Sequence, residues 1–458
     1  MNLNLFDGQF KYSPYVPFDP FSNPLLMGYI TTPTLGGVQP FEYSGWRNEM
    51  LSWHDGCYIH AGLNPDSEGK VTGKDVIPFL AYNLTNGFTK FPVGKIKHGI
   101  MVSEQGNIVI DGILQRNSED EFEFSNLGNY LEYRASQQDF DVKIEDMTGN
   151  TFLYQLGGPR SLEVVEAACR EDLHDIKFLQ HRAAKIAGRS VEIRRVGMAG
   201  SLAYEVAGAF EDCLPVYECI LEAGQAYGIT QLGRHAYWNT HTENGFPQGV
   251  VHFPFAWEQD EGYFKFMQET HSPLIHMAAS NSSLVGSLGS EIEARYVNPF
   301  ELNWGGSVAF NHEFIGREAL ESIKEKGTRK VCTLEWNPED IVDVWRSGLV
   351  DDNPYAPIDG PEDFDARGRY EYRADWVLAG GKRIGISSGR IHSWYYKKML
   401  SLGFIDPAYA EEGTELKFVW GSPDERQKEI RCKVARYPYM NDGRNEVLDV
   451  ESIPHPVF

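Results

Sequence analysis

The chain has 458 residues and a formal net charge of −23, which disfavours partners that need a basic surface, namely nucleic acid and anionic membranes. Hydrophobic residues make up 42% and aromatic residues 13% of the chain, so two or three domains with real cores are expected at this length. The sequence has no signal-peptide pattern, no apolar run that could span a bilayer and no CxxC pair among its six cysteines. These features predict a soluble cytoplasmic protein with reduced thiols.

The first predicted elements are a helix and a set of antiparallel strands. Residues 1–45 are rich in proline, glycine and aromatic side chains, which predicts an extended arm lying on the body of the protein. Farther along, apolar residues at helical spacing give way to alternating or continuous apolar runs between turn signals. The helix is predicted over Lys74–Leu84 and the strands over Ile96–Ser103, Asn107–Gln115 and Glu121–Ser125. This order of elements predicts α+β layers.

A second cycle of strands and helices follows the first. Its predicted elements are a strand over Thr151–Leu156, a helix over Pro159–Cys169, a strand pair about Gly188 within Ala184–Val196, a strand over Leu202–Ala207 and a helix over Cys213–Tyr227. From about residue 360 short strands dominate. The stretch before them, Asp351–Arg369, is dense in Asp, Pro and Gly and predicts a linker.

Two blocks in the C-terminal half carry a family resemblance. The string FIGREAL (Phe314–Leu320) follows a short apolar strand and begins a helix. The block Gly380–Leu416 has the sequence pattern G-x-x-x-SG…L-G-F-I…G-T-E-L. Both resemble the aminomethyltransferase (glycine-cleavage T-protein) superfamily, whose members carry one-carbon units on tetrahydrofolate. The FIGREAL residues themselves are expected to provide core packing, a tight turn and the first turn of a helix, so they mark the fold and do no chemistry.

The resemblance implies an α+β fold class, with two related α/β lobes of the T-protein folate-binding fold and a C-terminal β-barrel. It predicts an N-terminal arm over 1–45, a folate-binding domain over 46–350 with lobes of about 46–145 and 146–350, and the barrel over 360–458. Tetrahydrofolate is the implied cofactor.

Two carboxylates match folate-binding positions of this family. Glu205 ends the string GMAGSLAYE and resembles the glutamate that binds the pterin, whose edge presents two parallel N–H donors that one carboxylate can accept. Asp111, in EQGNIVIDGIL, resembles an aspartate that approaches the reacting folate nitrogen, although Ile110 replaces the aspartate that precedes it in the family. The alternatives are an exposed edge-strand glutamate and a turn-closing aspartate.

The segment GRHAYWNTHTENGF (233–246) resembles the tetrahydrofolate-dependent O-demethylases of methoxylated aromatic acids, the vanillate, 3-O-methylgallate and syringate enzymes. In those enzymes a tyrosine lies beside the methoxy group and an aromatic residue nine positions later packs on folate, and Tyr237 and Phe246 keep that spacing. A hydroxyl donor there stabilises the negative charge that develops on the ether oxygen. The alternative for Tyr237 is a buried structural tyrosine.

The chain departs from those enzymes where they hold their substrate. Leu127 stands where the family arginine clamps the aromatic carboxylate, so a charged benzoate would be buried without a partner and a different donor is expected. His60, Asn64 and His98, with Leu127 at the clamp position, are the candidate substrate-binding residues. The family arginine of the glycine-cleavage enzymes has no in-register match; His235 takes its place with Arg234 beside it, and either is a candidate to bind the folate glutamyl tail.

The sequence therefore predicts a tetrahydrofolate-dependent methyltransferase that demethylates a small molecule, best an O-methyl aromatic compound, and yields 5-methyltetrahydrofolate. A donor with an amine or sulfonium group is the first alternative, and a non-catalytic folate-binding protein is the second. The expected partner is a small-molecule methyl donor, without nucleic acid or membrane, and the protein is expected to be a monomer or small homo-oligomer. No catalytic metal is expected, because the sequence has no HxH or HExxH motif.

Overall fold

The computed structural model describes residues 30–32, 37–39, 42–61, 68–249, 251–270, 282–358 and 370–458. Its strands are β1 (Ile30–Thr32), β2 (Gly37–Gln39), β3 (Cys57–His60), β4 (Glu68–Thr72), β5 (Ile96–Val102), β6 (Ile108–Arg116), β7 (Glu121–Ser125), β8 (Lys143–Asp146), β9 (Thr151–Gly157), β10 (His181–Ile186), β11 (Arg189–Arg194), β12 (Ala203–Ala209), β13 (Ile229–Gln231), β14 (Ser282–Val285), β15 (Lys330–Trp336), β16 (Tyr370–Arg373), β17 (Asp375–Ala379), β18 (Lys382–Ser393), β19 (Lys398–Ile405), β20 (Glu415–Trp420) and β21 (Lys428–Ala435). Its α-helices are α1 (Trp46–Glu49), α2 (Ser52–Asp55), α3 (Val76–Asn83), α4 (Gly128–Gln137), α5 (Ser161–Cys169), α6 (Cys213–Gly224), α7 (Arg234–Asn244), α8 (Glu261–Glu269), α9 (Arg317–Lys326) and α10 (Pro338–Val350).

The helices and strands predicted in the two cycles are present, with bounds that differ by three residues or fewer in the α-helices and strands. Most of the predicted arm lies outside the described residues, as does the part of the predicted linker over 359–369. The earlier part of that linker packs on the barrel, since the side chains of Ala356 and Ile358 are buried in its core. Among the described residues, no helix is both long enough and apolar enough to cross a membrane.

The first lobe is built on a five-stranded sheet with the order β5-β6-β7-β4-β8. Its apolar face packs against α3, α4 and α8, because strand side chains alternate between the two faces and one set is apolar. Phe122 and Phe124 of β7 lie in this core. The hairpin of β5 and β6 has Ile100 opposite Asp111, so Asp111 lies on the opposite face from its neighbour Ile110, which is packed in the core.

The second lobe is a six-stranded sheet with the order β10-β11-β12-β9-β3-β13. Its core cluster brings together side chains of α5, α6 and alternate strand positions such as Ile59 and Tyr204. The strand β3 belongs to this sheet and pairs with β9 and β13, although the sequence assigned residues 46–145 to the first lobe. The lobe boundary predicted at 145 therefore does not separate the two sheets.

The six strands β15-β19-β18-β17-β20-β21 form a closed barrel, which the C-terminal sequence block predicted. Pairing of β15 with β21 closes it, with Leu334 opposite Val434. Since β15 precedes residue 360, the predicted start of the barrel domain was too late. The barrel contacts α7 through Thr242, whose hydroxyl donates to the carbonyl oxygen of Gly389 at 2.9 Å.

The FIGREAL string closes a turn against the first lobe. Phe314 is buried, Gly316 has a φ of 82°, and Arg317 forms ion pairs with Glu313 and Glu321 at the start of α9. A Cβ atom on Gly316 would collide with the carbonyl oxygen of Ser103. These residues therefore have the packing, turn and helix-start roles predicted for them.

Gly316→Ala is expected to destabilise the protein more than Gly228→Ala. Both glycines have left-handed backbone, with φ 82° and ψ 4° at Gly316 and φ 71° and ψ 38° at Gly228, so both variants meet its strain, on the order of 1–2 kcal/mol. Only at Gly316 does the new Cβ also meet backbone, whereas open space surrounds Gly228. Denaturant midpoints of the two variants measure the difference, and equal midpoints would contradict this packing.

Candidate active site

Four polar side chains lie next to one another across the middle of the second sheet. The strand registers place His60 of β3 opposite Gln155 of β9, Gln155 opposite Glu205 of β12, and Glu205 opposite Arg194 of β11. Because strand side chains alternate, this row projects from the face opposite α5 and α6. All four side chains are nonetheless buried, so their polar atoms need partners.

Glu205 is a buried carboxylate whose lost hydration is only partly compensated by hydrogen bonds and nearby charge. Its Oε1 accepts a hydrogen bond from Gln155 Nε2 at 3.2 Å, and burial raises the pKa of Glu205 to about 6, while the charge of Arg194 lowers it. Arg194 is itself engaged by Glu68 and Glu192, the latter at 2.7 Å. A carboxylate with one neutral amide donor retains acceptor capacity, which suits a ligand that presents two N–H groups and thus fits the pterin edge of tetrahydrofolate.

Tyr237 projects from α7 onto this row. The helix begins after Gly233, whose backbone N–H donates to Glu49 Oε2 at 2.8 Å. The Tyr237 ring stacks on His60 with centroids 4.0 Å apart and planes 10° from parallel. Burial and, to a smaller extent, the Glu205 charge raise the pKa of Tyr237. Its hydroxyl therefore keeps its proton at neutral pH and is available as a donor.

Two buried neutral histidines adjoin Tyr237. His60 Nδ1 lies 3.0 Å from the carbonyl oxygen of Leu232, which fixes the proton on Nδ1 and leaves a lone pair on Nε2, an atom with no hydrogen-bond partner among the described residues. Burial lowers the pKa of His60 to about 4. His241 stands one turn after Tyr237, with ring centroids 5.2 Å apart, and the described part of the chain offers neither of its ring nitrogens a partner. Buried polar atoms of this kind are candidates for contact with a polar ligand.

The end of α7 leads to a second group on the first lobe. Gly245 ends the helix in the left-handed conformation, with a φ of 70°, and Phe246 follows it. The Phe246 ring lies 5.3 Å from both His98 and Trp304, and His98 Nε2 lies 2.8 Å from Asp111 Oδ2. His241, 6.3 Å from Phe246, joins this group to Tyr237. The predicted residues Tyr237, Asp111, Glu205, Phe246, His60 and His98 are thus brought together.

The remaining predicted residues are placed differently. The structure contradicts the assignment of Leu127 to the substrate pocket: its side chain is fully buried in the apolar core beneath Gly99 and Gly112, on the face of the hairpin opposite His98. His235 faces the N-terminal segment, with Nδ1 2.6 Å from Glu42 Oε1. Arg234 is buried, its guanidinium 4.2 Å from the centre of the Trp238 ring. Asn64 lies outside the described residues.

Sequence reasoning missed Gln155, His241 and Trp304. Gln155 stands in the otherwise apolar interior of the strand TFLYQLG, where Tyr154 contributes only a hydroxyl group. A polar residue inside a buried strand is a usable signal. His241 follows Tyr237 at helical spacing, which puts both on one face of α7. Trp304 lies in ELNWGG, ten residues before FIGREAL, and no pattern in the sequence singled it out.

Comparison with known proteins agrees with the geometry. A family profile described as the GCVT N-terminal domain matches residues 62–249. The chain is 44% identical to the sesamin methylene transferase of Sinomonas sp., over 92% of this chain and 95% of that protein. It is 30% identical to the syringate O-demethylase of Sphingobium sp., over 92% and 94%. The glycine cleavage system aminomethyltransferase T of Bartonella henselae has the same fold, with a TM-score of 0.65 at 17% identity over 95% of this chain and 99% of that one.

The fold is that of the glycine-cleavage T-protein, and similarity to named enzymes over nearly the whole chain shows that the protein is an enzyme. The chain belongs to the aminomethyltransferase (glycine-cleavage T-protein) superfamily, in which it is more similar to the O-demethylases than to the glycine-cleavage enzymes. Tetrahydrofolate is its cofactor and folate-dependent one-carbon transfer its reaction class.

Proposed function

We propose that this enzyme removes a one-carbon group from a neutral aromatic ether and passes it to tetrahydrofolate. The observation that carries the proposal is the buried Tyr237, whose ring stacks on His60 beside the buried carboxylate of Glu205. Within the described residues, His60 Nε2 has no hydrogen-bond partner. The names of two relatives, an O-demethylase and a methylene transferase, support the same reaction class.

Tetrahydrofolate supplies the nucleophilic nitrogen when bound. Glu205 holds the pterin edge, and Asp111, fixed by His98, stabilises partial positive charge near the reacting nitrogen. Phe246 and Trp304 provide the aromatic surface against which the folate ring system packs. Arg234 and His235 stay candidates for the glutamyl tail.

Tyr237 donates its proton in a hydrogen bond to the ether oxygen as the aryl oxygen leaves as a phenolate. His60 Nε2 accepts a hydrogen bond from a hydroxyl group on the same ring. The neutral ring of His241 offers one N–H donor and one lone-pair acceptor to a substrate oxygen that lies beside it. Both histidines are neutral, because burial lowers the pKa of each, so neither supplies a positive charge to the substrate.

The charges around the site favour a neutral donor. Leu127, at the clamp position of the family resemblance, lies in the core and offers a substrate neither a charge nor a contact. Arg194 is neutralised by Glu68 and Glu192. Arg234 is a second buried cation, whose charge acts on Tyr237 and His60. A carboxylate on the aromatic ring would therefore compete with the folate glutamyl tail for Arg234.

The transferred unit is a methyl or a methylene group. With a methoxy donor one C–O bond breaks and one C–N bond forms, and the proton lost from the folate nitrogen ends on the aryl oxygen, which yields 5-methyltetrahydrofolate and a phenol. With a methylenedioxy donor two C–O bonds break and two C–N bonds form, and the two N–H protons end on the two aryl oxygens, which yields 5,10-methylenetetrahydrofolate and a catechol. Neither needs an oxidant. The 44% identity with a methylene transferase makes the second the specific alternative to the first.

Anaerobic incubation with tetrahydrofolate and matched donors tests the proposal. The panel pairs a 2-methoxyphenol with the corresponding methoxybenzoate, and adds a methylenedioxybenzene, sarcosine and a dimethylsulfonio acid. Mass spectrometry identifies the folate product. We expect turnover with a neutral ether and at least tenfold less with the benzoate. Turnover confined to the amine or the sulfonium compound would overturn the ether proposal.

A further inference from the structure

A cluster of titratable side chains lies away from the folate site, where the C-terminal segment meets the second lobe. Asp172 Oδ1 is 3.0 Å from His174 Nδ1, and Asp172 Oδ2 is 2.6 Å from His455 Nδ1. Glu166 Oε1, on α5, is 2.9 Å from the same His174 nitrogen. The two imidazole rings stack with centroids 3.9 Å apart.

The orientation of the His174 ring turns its Nδ1 toward two carboxylates. Its Nε2 lies 3.2 Å from the backbone carbonyl oxygen of Ile453, and since a carbonyl can only accept, Nε2 carries the hydrogen. In the neutral ring Nδ1 then holds a lone pair, which faces oxygens of two carboxylates. That arrangement is repulsive unless a proton or a metal ion lies between them.

We propose that Asp172, His174 and His455 bind a divalent transition-metal ion of the zinc type. The donor atoms of these three residues all lie within 4.8 Å of one another. Two imidazole nitrogens and carboxylate oxygens suit zinc better than magnesium or calcium, which prefer oxygen alone. The Nε2–H bond to the Ile453 carbonyl is the kind of outer contact that orients a metal-bound histidine.

The location indicates a structural role. Glu166 lies on α5, which covers the face of the sheet opposite the Glu205 row, so the ion has no part in the transfer reaction. It fastens residues 453–458 to the second lobe. His455 also lines a cavity of about 290 Å³, together with Arg170, Tyr227 and the chain from Pro454 to Phe458, through which an ion can enter from solvent.

Zinc titration of full-length protein without a polyhistidine tag tests the site. The protein is first freed of metal by a chelator, and calorimetry then measures Zn²⁺ binding to wild type, Asp172→Asn and His455→Ala. His312→Ala is the matched control, because it removes a histidine that lies outside the cluster, just before the FIGREAL string. The thermal midpoint of unfolding with and without zinc is the second readout, and neither measurement needs folate or a substrate.

We expect one Zn²⁺ per chain, with affinity at least about tenfold lower in Asp172→Asn and His455→Ala and unchanged in His312→Ala. Zinc should raise the midpoint of the wild type and of His312→Ala and leave His455→Ala unchanged. Failure of the wild type to bind one ion, or equal binding in all four proteins, would overturn the proposal. In that case a proton shared between Asp172 and the two rings accounts for the cluster.

Discussion

Replacing Tyr237 with phenylalanine is expected to lower kcat by about a hundredfold or more and to leave the affinity for tetrahydrofolate unchanged. The hydroxyl acts mainly in the transition state, where the leaving oxygen gains negative charge, so its loss appears in kcat and not in binding. The stacked ring on His60 remains in the variant, which preserves packing. Single-turnover rates with the donor identified by the substrate panel, and calorimetric folate affinity, are the two measurements.

Tyr217→Phe is the matched control. Tyr217 is also buried, and its hydroxyl accepts a hydrogen bond from Gln231 Nε2 at 2.8 Å, but it belongs to α6 on the other face of the sheet. Its loss should leave turnover unchanged. The effect of Tyr237→Phe should also shrink for donors with a more acidic phenol, because less charge then needs stabilisation. Near-wild-type turnover of Tyr237→Phe would favour a sulfonium or amine donor, because the leaving group of such a donor departs neutral.

Local patterns predicted individual elements well and their assembly less well. The strand Glu121–Ser125 was predicted to the residue, because EFEFS alternates strictly and Phe122 and Phe124 fill one face. The partners of a strand leave no such local trace. Pairing of β3 with β9 and of β15 with β19 joins distant parts of the chain, and both domain boundaries were misplaced for that reason.

Part of the candidate site was indicated by the family resemblance. Glu205, identified in this way, lies in the buried polar row, and the ring of Tyr237 stacks on His60 of that row. Leu127 was assigned from its position in a family comparison, yet its side chain lies in the core of the first lobe. Gln155 had a local signal, but its neighbours depend on cross-strand register. The pairing of His174 with His455 depends on a contact of the C-terminal segment and had no sequence signal.

Glu205→Ala is expected to weaken tetrahydrofolate binding by about 3 kcal/mol, roughly a hundredfold. The variant leaves both pterin donors without a charged acceptor in a buried site. Glu205→Gln retains one acceptor oxygen and should be intermediate. Calorimetry with a stable reduced folate measures both. Glu301→Gln, which alters a buried carboxylate paired with Arg329, serves as the control and should bind like the wild type; an unchanged affinity in Glu205→Ala would remove this residue from the folate site.

The pH dependence gives an independent check on Glu205. Because burial raises its pKa to about 6 and the pterin donors favour the charged form, ligand binding releases a proton below that pH. Folate affinity should therefore be constant above about pH 7 and fall by up to tenfold per unit as pH drops through 6. Glu205→Gln should remove this dependence. The same fall in both proteins would assign it to another group.

As the pH rises, the stability of the ligand-free protein should fall while its affinity for folate rises. A folded-state pKa of about 6 exceeds the ordinary value of 4.5, so the folded protein binds the proton more tightly than the unfolded chain. The charged carboxylate then costs stability that grows as pH rises from about 4.5 to 6 and stays near 2 kcal/mol above it, on the order expected for this shift. At pH 7.5 without ligand, Glu205→Gln should unfold at a higher denaturant concentration than wild type while binding folate less well. A Glu205→Gln variant that is less stable than the wild type at pH 7.5 would show that the charged carboxylate stabilises the fold and would contradict the burial cost.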